Sequence, residues 1–190
     1  YGSMYWFGPS GAMATGWVLD GGTWYYATGS GALARGPVSF GGVPYCFDAE
    51  TGAMLTGYQT DAQGVRRYFG SYGPVNGWGL VDGAWYWFVD GVASTGWLRL
   101  GGTWYWLEPD AGGAMVTGLH ECYGSMYWFG PSGAMATGWV LDGGTWYYAT
   151  GSGALASGWL NLNGAWYWLD PETHAMATGV QQINGVQHSF

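Results

Sequence analysis

The chain has 190 residues, among them 38 glycines, 15 tryptophans and 15 tyrosines, with four arginines (Arg35, Arg66, Arg67, Arg99), no lysine and a net charge of −8. So much glycine and bulky aromatic side chain excludes long helices, because glycine gives up the most backbone entropy there and rings lose χ1 freedom, whereas short strands between glycine turns suit both. The acidic balance excludes nucleic acid, which demands a cationic surface, and apolar runs of only strand length exclude membrane insertion.

The fold class is therefore all-β, and its grain is a repeat. Residues 1–34 recur unchanged at 123–156, and inside that long repeat runs a shorter one of about twenty residues marked by glycines. A partial unit occupies Tyr1–Gly16. Units then start at Trp17, Pro37, Tyr58, Trp78, Trp97, Leu119, Trp139 and Trp159, and a partial unit fills Val180–Phe190. The expectation is a single repeat module over 1–190, part of a longer protein.

The unit GWVLDGGTWYYATGSGALARG, Gly16–Gly36, shows the local logic. Trp17–Leu19 and Thr23–Ala27 read as strands, and Asp20-Gly21-Gly22 supplies the positive φ of a tight primed turn. Asp82-Gly83, Asp142-Gly143 and Asn163-Gly164 repeat that signal. Strand alternation puts Trp17, Trp24 and Tyr26 on one face, and Val18 and Tyr25 on the other. A lone hairpin is barely stable in water, so the units are expected to stack as a hairpin solenoid, burying aromatic faces. The tyrosine of one unit then approaches the tryptophans of the unit before it.

Several units depart from this pattern. The Pro37 unit has Pro44 and Cys46 at aromatic positions, and the Tyr58 unit has Arg66 near a tryptophan position. Leu119 and Met126 replace both tryptophans of their unit, and Met4 replaces one in the first. These read as structural spacers whose cages are absent, the alternative being sites altered to take something else. Cys46 and Cys122 fall at different positions of units four apart, which predicts two free, buried thiols. The acids are scattered and His120, His174 and His188 stand isolated, so neither a catalytic group nor a metal site is expected. Asp20, Asp82 and Asp142 read as turn residues, and Glu50, Glu108, Glu121 and Glu172 as lying outside the strand cores.

The recurring G-W, W-Y-aromatic and T-G elements resemble the choline-binding, or cell-wall-binding, repeats of Gram-positive surface proteins, lysins and autolysins. Glucan-binding and clostridial toxin repeats look similar, and the tail GVQQINGVQHSF leans toward them. The resemblance implies a superhelical row of hairpins with ligand sites between neighbours, each a cage of aromatics around a quaternary ammonium. Carried onto this sequence, it gives Trp17 and Trp24 with Tyr45, Trp78 and Trp85 with Tyr105, Trp97 and Trp104 with Tyr127, and Trp139 and Trp146 with Tyr167. Trp159 and Trp166 would make a fifth, with His188 at the tyrosine position. Met115 and Met135 are candidates for a floor, though packing alone accounts for a methionine there equally well.

A trimethylammonium has no hydrogen to donate, so aromatic faces and burial of its methyls must hold it. The same aromatics are also what a small hairpin needs for a core, and the middle tyrosines (Tyr5, Tyr25, Tyr45, Tyr86, Tyr105, Tyr127, Tyr147, Tyr167) persist even beside missing tryptophans. The implied function is a non-catalytic, cofactor-free module anchoring its parent to choline-bearing teichoic acid, secreted or held at the bacterial cell surface. The alternatives are a carbohydrate-binding module for α-glucan or a host glycan, and a structural stalk without ligand. Exposed hairpin faces at the ends offer a route to self-association.

Overall fold

A computed structural model describes residues 2–190; Tyr1, the first residue of the opening partial unit, lies outside the described residues. The described chain is a succession of short antiparallel strands, with one 3-10 turn at Pro109–Ala111 and no helix long and apolar enough to cross a membrane. It forms two compact units, one running to Ser94 and the other covering Thr95–Phe190.

The first unit opens with isolated bridges at Tyr5 and Phe7 and continues with four hairpins. These are β1 (Gly16–Asp20) with β2 (Thr23–Ala27), β3 (Gly36–Phe40) with β4 (Val43–Phe47), β5 (Gly57–Thr60) with β6 (Arg66–Gly70) and β7 (Gly73–Pro74), and β8 (Gly77–Val81) with β9 (Ala84–Val89) and β10 (Val92–Ala93). The second unit has β11 (Gly96–Leu100) with β12 (Thr103–Glu108) and β13 (Ala114–Met115), then β14 (Gly118–Cys122) with β15 (Ser125–Phe129). There follow β16 (Gly138–Asp142) with β17 (Thr145–Ala149), β18 (Gly158–Leu162) with β19 (Ala165–Leu169), and β20 (Val180–Ile183) with β21 (Val186–Ser189).

The register is the one the alternation predicts. Trp17 faces Tyr26, Leu19 faces Trp24 and Val18 faces Tyr25 across β1–β2, and Trp139, Leu141 and Val140 repeat this across β16–β17. The turn is not quite as expected. In the Trp17 and Trp139 hairpins two glycines make it, Gly21-Gly22 at φ 55° and 81° and Gly143-Gly144 at φ 56° and 84°. Asp20 and Asp142 are instead the last strand residues, paired with Thr23 and Thr145. Only where a single glycine is present, as in Asp82-Gly83 and Asn163-Gly164, does the polar residue itself adopt positive φ (51° and 53°).

One position forms the core of eight of the nine hairpins, all but β20–β21. Ala27, Phe47, Phe69, Phe88, Leu107, Phe129, Ala149 and Leu169 are all buried, and each pairs with the glycine that opens its hairpin. With no side chain opposite, the buried residue turns its full surface toward neighbouring hairpins.

The segments after β1–β2, β3–β4, β14–β15, β16–β17 and β18–β19 each stitch two hairpins together. Their successive N–H groups alternate: Met135 donates to Trp104 O of the hairpin before (2.8 Å), and Ala136 to Trp128 O of its own (2.9 Å). Met54 and Leu55 do the same with Trp24 and Cys46, and Met176 and Ala177 with Trp146 and Trp168. A hairpin's front, carrying its tryptophans, thus faces the following hairpin, and its back meets the preceding one. Both cysteines are free and buried. Burial, helped by nearby Glu108 and Glu121, pushes the Cys122 thiol up to about 12.

Candidate functional site

Between consecutive hairpins, the front of one and the back of the next meet as aromatic walls. Trp17 and Trp24 stand edge to face with centroids 6.1 Å apart at 89°, and Tyr45 closes the third side 4.8 Å from Trp17. Trp97, Trp104 and Tyr127 repeat this at 6.0 Å and 4.9 Å, and Trp139, Trp146 and Tyr167 at 6.1 Å and 4.9 Å. Each trio lines an open cavity, of about 310, 280 and 270 Å³ respectively. Three of the expected groups are therefore brought together. Trp78 and Trp85 lie in the first unit and Tyr105 in the second; Trp78 packs on Trp87 across its own hairpin at 5.5 Å, Trp85 is exposed and Tyr105 pairs with Leu98.

The walls have a floor. Met54, Met135 and Met176 line the three cavities, each being the residue whose N–H bonds the second tryptophan's carbonyl. Met135 was expected there; Met54 and Met176 were not, although a methionine eight or nine residues beyond the wall tyrosine was the available signal. Met135 is seated by Gly153, whose φ is +88°; a Cβ there would collide with its sulfur. Met115 packs in the same way against Gly133. The Trp17 cavity has a further border, Ser71 and Tyr72, at the turn leading to β7. Gly73 in that turn lies close enough to the Tyr45 ring that a Cβ would come within 3.0 Å of it.

Trp159 and Trp166 sit 6.3 Å apart at 87°, and His188 takes the tyrosine's place 5.0 Å from Trp159. Ser189 and Phe190 complete a cavity of about 560 Å³. Phe190 stands to Trp159 (5.8 Å, 39°) as Phe47 does to Trp17 (6.0 Å, 37°) and Phe129 to Trp97 (6.0 Å, 41°).

The departing units behave as spacers of two kinds. Where Leu119 and Met126 replace the tryptophans, the next hairpin's Tyr147 and Leu155 close into a packed cluster with Val140 and Ala149, against which Met126 lies. In the Tyr58 unit the Arg66 guanidinium stacks 3.9 Å over the Tyr58 ring. The chain thus lays its own cation on an aromatic wall. Arg67 pairs with the buried Asp61 and also donates to Asp90 O.

Two acid–base expectations need correction. His120 is not isolated: its Nε2 lies 2.6 Å from Glu108 Oε2, because stacking sets β14 against the end of β12. Glu108 also accepts from the Trp106 indole N–H (3.0 Å) and the Asp110 N–H, and these donors, the indole foremost and His120 last, hold its carboxyl below its ordinary range. Glu121 is a strand residue, exposed and paired with Met126 in β14–β15, and Glu108 is the last residue of β12.

A family model described as a choline-binding repeat matches residues 116–158, and one described as a putative cell wall binding repeat matches 15–33, 95–115 and 157–172. Among solved structures, choline-binding protein F of Streptococcus pneumoniae, determined with a peptidoglycan analogue, is 25% identical with a TM-score of 0.78, over 98% of this chain and 81% of that one. CbpJ of the same organism is 26% identical with a TM-score of 0.63, over 99% and 82%. The choline-binding domain of CbpL, also pneumococcal, is 28% identical with a TM-score of 0.61, over 90% and 91%. No curated protein sequence matches the chain.

Proposed function

Because this chain belongs to the choline-binding, or cell-wall-binding, repeat family, we propose that it is a non-catalytic module that anchors its parent protein to choline-bearing teichoic acid on a Gram-positive cell wall. The observation that carries this reading is the recurrence of one geometry: two tryptophans at right angles, a tyrosine about 5 Å from the first, and a thioether floor.

None of the side chains lining the Trp17, Trp97 and Trp139 cavities carries a charge. A quaternary ammonium suits such a site, since each ring contributes about 0.5–2 kcal/mol of cation–π attraction and the methyl groups bury against aromatic carbon. Individually weak sites along a repetitive polymer gain about 10²–10⁴ in avidity. The place of action follows from the ligand: the parent works outside the cell, at the surface or secreted.

A second reading is favoured where hydroxyls border the tryptophans, as Ser152 does at the Trp97 cavity. The hydroxyls of Ser71 and Tyr72 at the Trp17 cavity are the kind of polar neighbours a sugar stacked on tryptophan needs. The test is a titration of tryptophan fluorescence and melting temperature, first with choline chloride and then with α-glucan oligosaccharides. A saturable choline response with a raised melting temperature supports the cages, since a ligand bound only by the folded state stabilises it. Response to sugar alone makes the chain a glycan-binding module. Silence to both leaves a stalk whose tryptophans are packing.

A further inference from the structure

We propose that Trp159, Trp166, His188 and Phe190 form a cation site whose occupancy is set by pH, with His188 as the wall that switches it. The proposal rests on the reading of the cages as quaternary-ammonium sites.

The aromatic walls repeat those of the three trios, around a larger cavity with no methionine in its lining. The Trp159–Trp166 pair, at 6.3 Å and 87°, matches the three pairs above, and His188 meets Trp159 at 5.0 Å and 67° where Tyr167 meets Trp139 at 4.9 Å and 67°. The fourth wall is fixed rather than loose: Phe190 donates its N–H to Gly179 O at 2.9 Å and stacks on His188 at 6.2 Å and 29°. Trp166 is 61% exposed, so the cavity opens directly to solvent.

The imidazole changes the chemistry of the wall. A tyrosine ring keeps its electron-rich face at any pH a cell wall meets. Imidazole, as a class, changes charge between pH 5 and 8. Neutral, it offers an aromatic face to a quaternary ammonium. Protonated, it sets a second positive charge beside the ligand, and like charges at that range repel.

No acidic side chain lines the cavity. Hairpins β18–β19 and β20–β21 contain no Asp, Glu, Lys or Arg. Besides His188, the one titratable side chain on them is Tyr167, which faces the opposite way, into the Trp139 cavity. In the segment between them, Asp170 is engaged with Thr173 and the Glu172 N–H, His174 Nδ1 lies 3.2 Å from Ala156 O, and Glu172 is exposed. The site therefore holds the cation more weakly once the ring is protonated, while the tyrosine-walled sites stay indifferent.

The test follows the His188 ring proton by NMR against pH in the whole chain, with and without saturating choline chloride, the resonance being assigned by its loss in H188Y. By linkage, a ligand that prefers the neutral ring must lower the ring's titration midpoint. We expect a drop of about one pH unit, equal to a tenfold difference in choline affinity between the two ring states, with His120 and His174 unmoved. The H188Y chain should bind choline at this site equally at pH 5.5 and pH 8. An unmoved His188 midpoint, while tryptophan fluorescence still reports choline at other sites, overturns this proposal and leaves the cage reading standing. No choline response anywhere overturns the cage reading itself. A midpoint shifted by a glucan oligosaccharide and not by choline overturns the cation assignment.

Discussion

The chain contains its own controlled comparison, since residues 1–34 and 123–156 are the same sequence in two settings. In the second setting Phe129 is fully buried, Tyr127 is a cage wall 4.9 Å from Trp97, and Met135 is the floor beneath them. In the first, Phe7 is 57% exposed and Tyr5 and Met13 are exposed as well. The Trp6 indole reaches Asp20 at 3.3 Å, whereas that of Trp128 is buried without a partner. Yet Trp17 and Trp139, further along the same sequence, both line open aromatic cavities. A unit therefore holds two half-sites: its tyrosine, methionine and core residue take their role from the hairpin before, its tryptophan pair from the hairpin after.

The sharpest break of that comparison is in the core. F129A should destabilise the second unit by about 3–5 kcal/mol, while F7A should stay within about 0.5 kcal/mol, as read from denaturant unfolding of each variant. Equal effects would mean that the preceding hairpin does not decide the role. Next comes the wall. Y127A should weaken choline binding at the Trp97 site by about 0.5–2 kcal/mol, roughly 2- to 30-fold, with Y5A leaving calorimetric titration curves unchanged.

The comparison is sharpened by building rather than removing. Tyr147 already stands opposite Leu119 and Met126 but is only 9% exposed, packed with Leu155. The L119W/M126W/L155M chain supplies the missing tryptophans and floor, and should bind one more choline per chain by calorimetry. An unchanged stoichiometry would show that the tyrosine's burial is set by more than these three positions.

The smallest effect concerns Glu108, which bonds Trp106 within its own strand and His120 of β14, the strand just ahead of the second copy. Its folded pKa lies below its ordinary 4.5, so the stabilisation is complete above that value and is lost as pH falls through the lowered one. Melting temperature should consequently fall more steeply from pH 5 to pH 3 in the native chain than in E108Q.

Much of this was legible in the residues. Alternation alone placed Trp17, Trp24 and Tyr26 together, and the register obeys it. The pairing of Trp97 and Trp139 with tyrosines about thirty residues on came with the family pattern, and the structure brings them within 4.9 Å. What escaped depends on how the links fold back. Met54 and Met176 become floors only because their N–H groups cross to the preceding hairpin, a contact without local periodicity. Ser71 and Tyr72 reach the Trp17 cavity from a third hairpin's turn. Glu108 and His120 meet through stacking, so neither sequence neighbourhood announces the pair.

The backbone bond from link to preceding hairpin is the same beneath an open cavity and a filled interval: Met176 N–H to Trp146 O and Leu155 N–H to Met126 O, at 2.7 and 2.8 Å. The scaffold is therefore blind to whether an interval binds. Lineages carrying such an array can gain or lose cages by point substitution, and a copied segment such as 1–34 is usable wherever it is inserted. Valency becomes a trait that drifts on its own, while the ladder that carries it stays fixed.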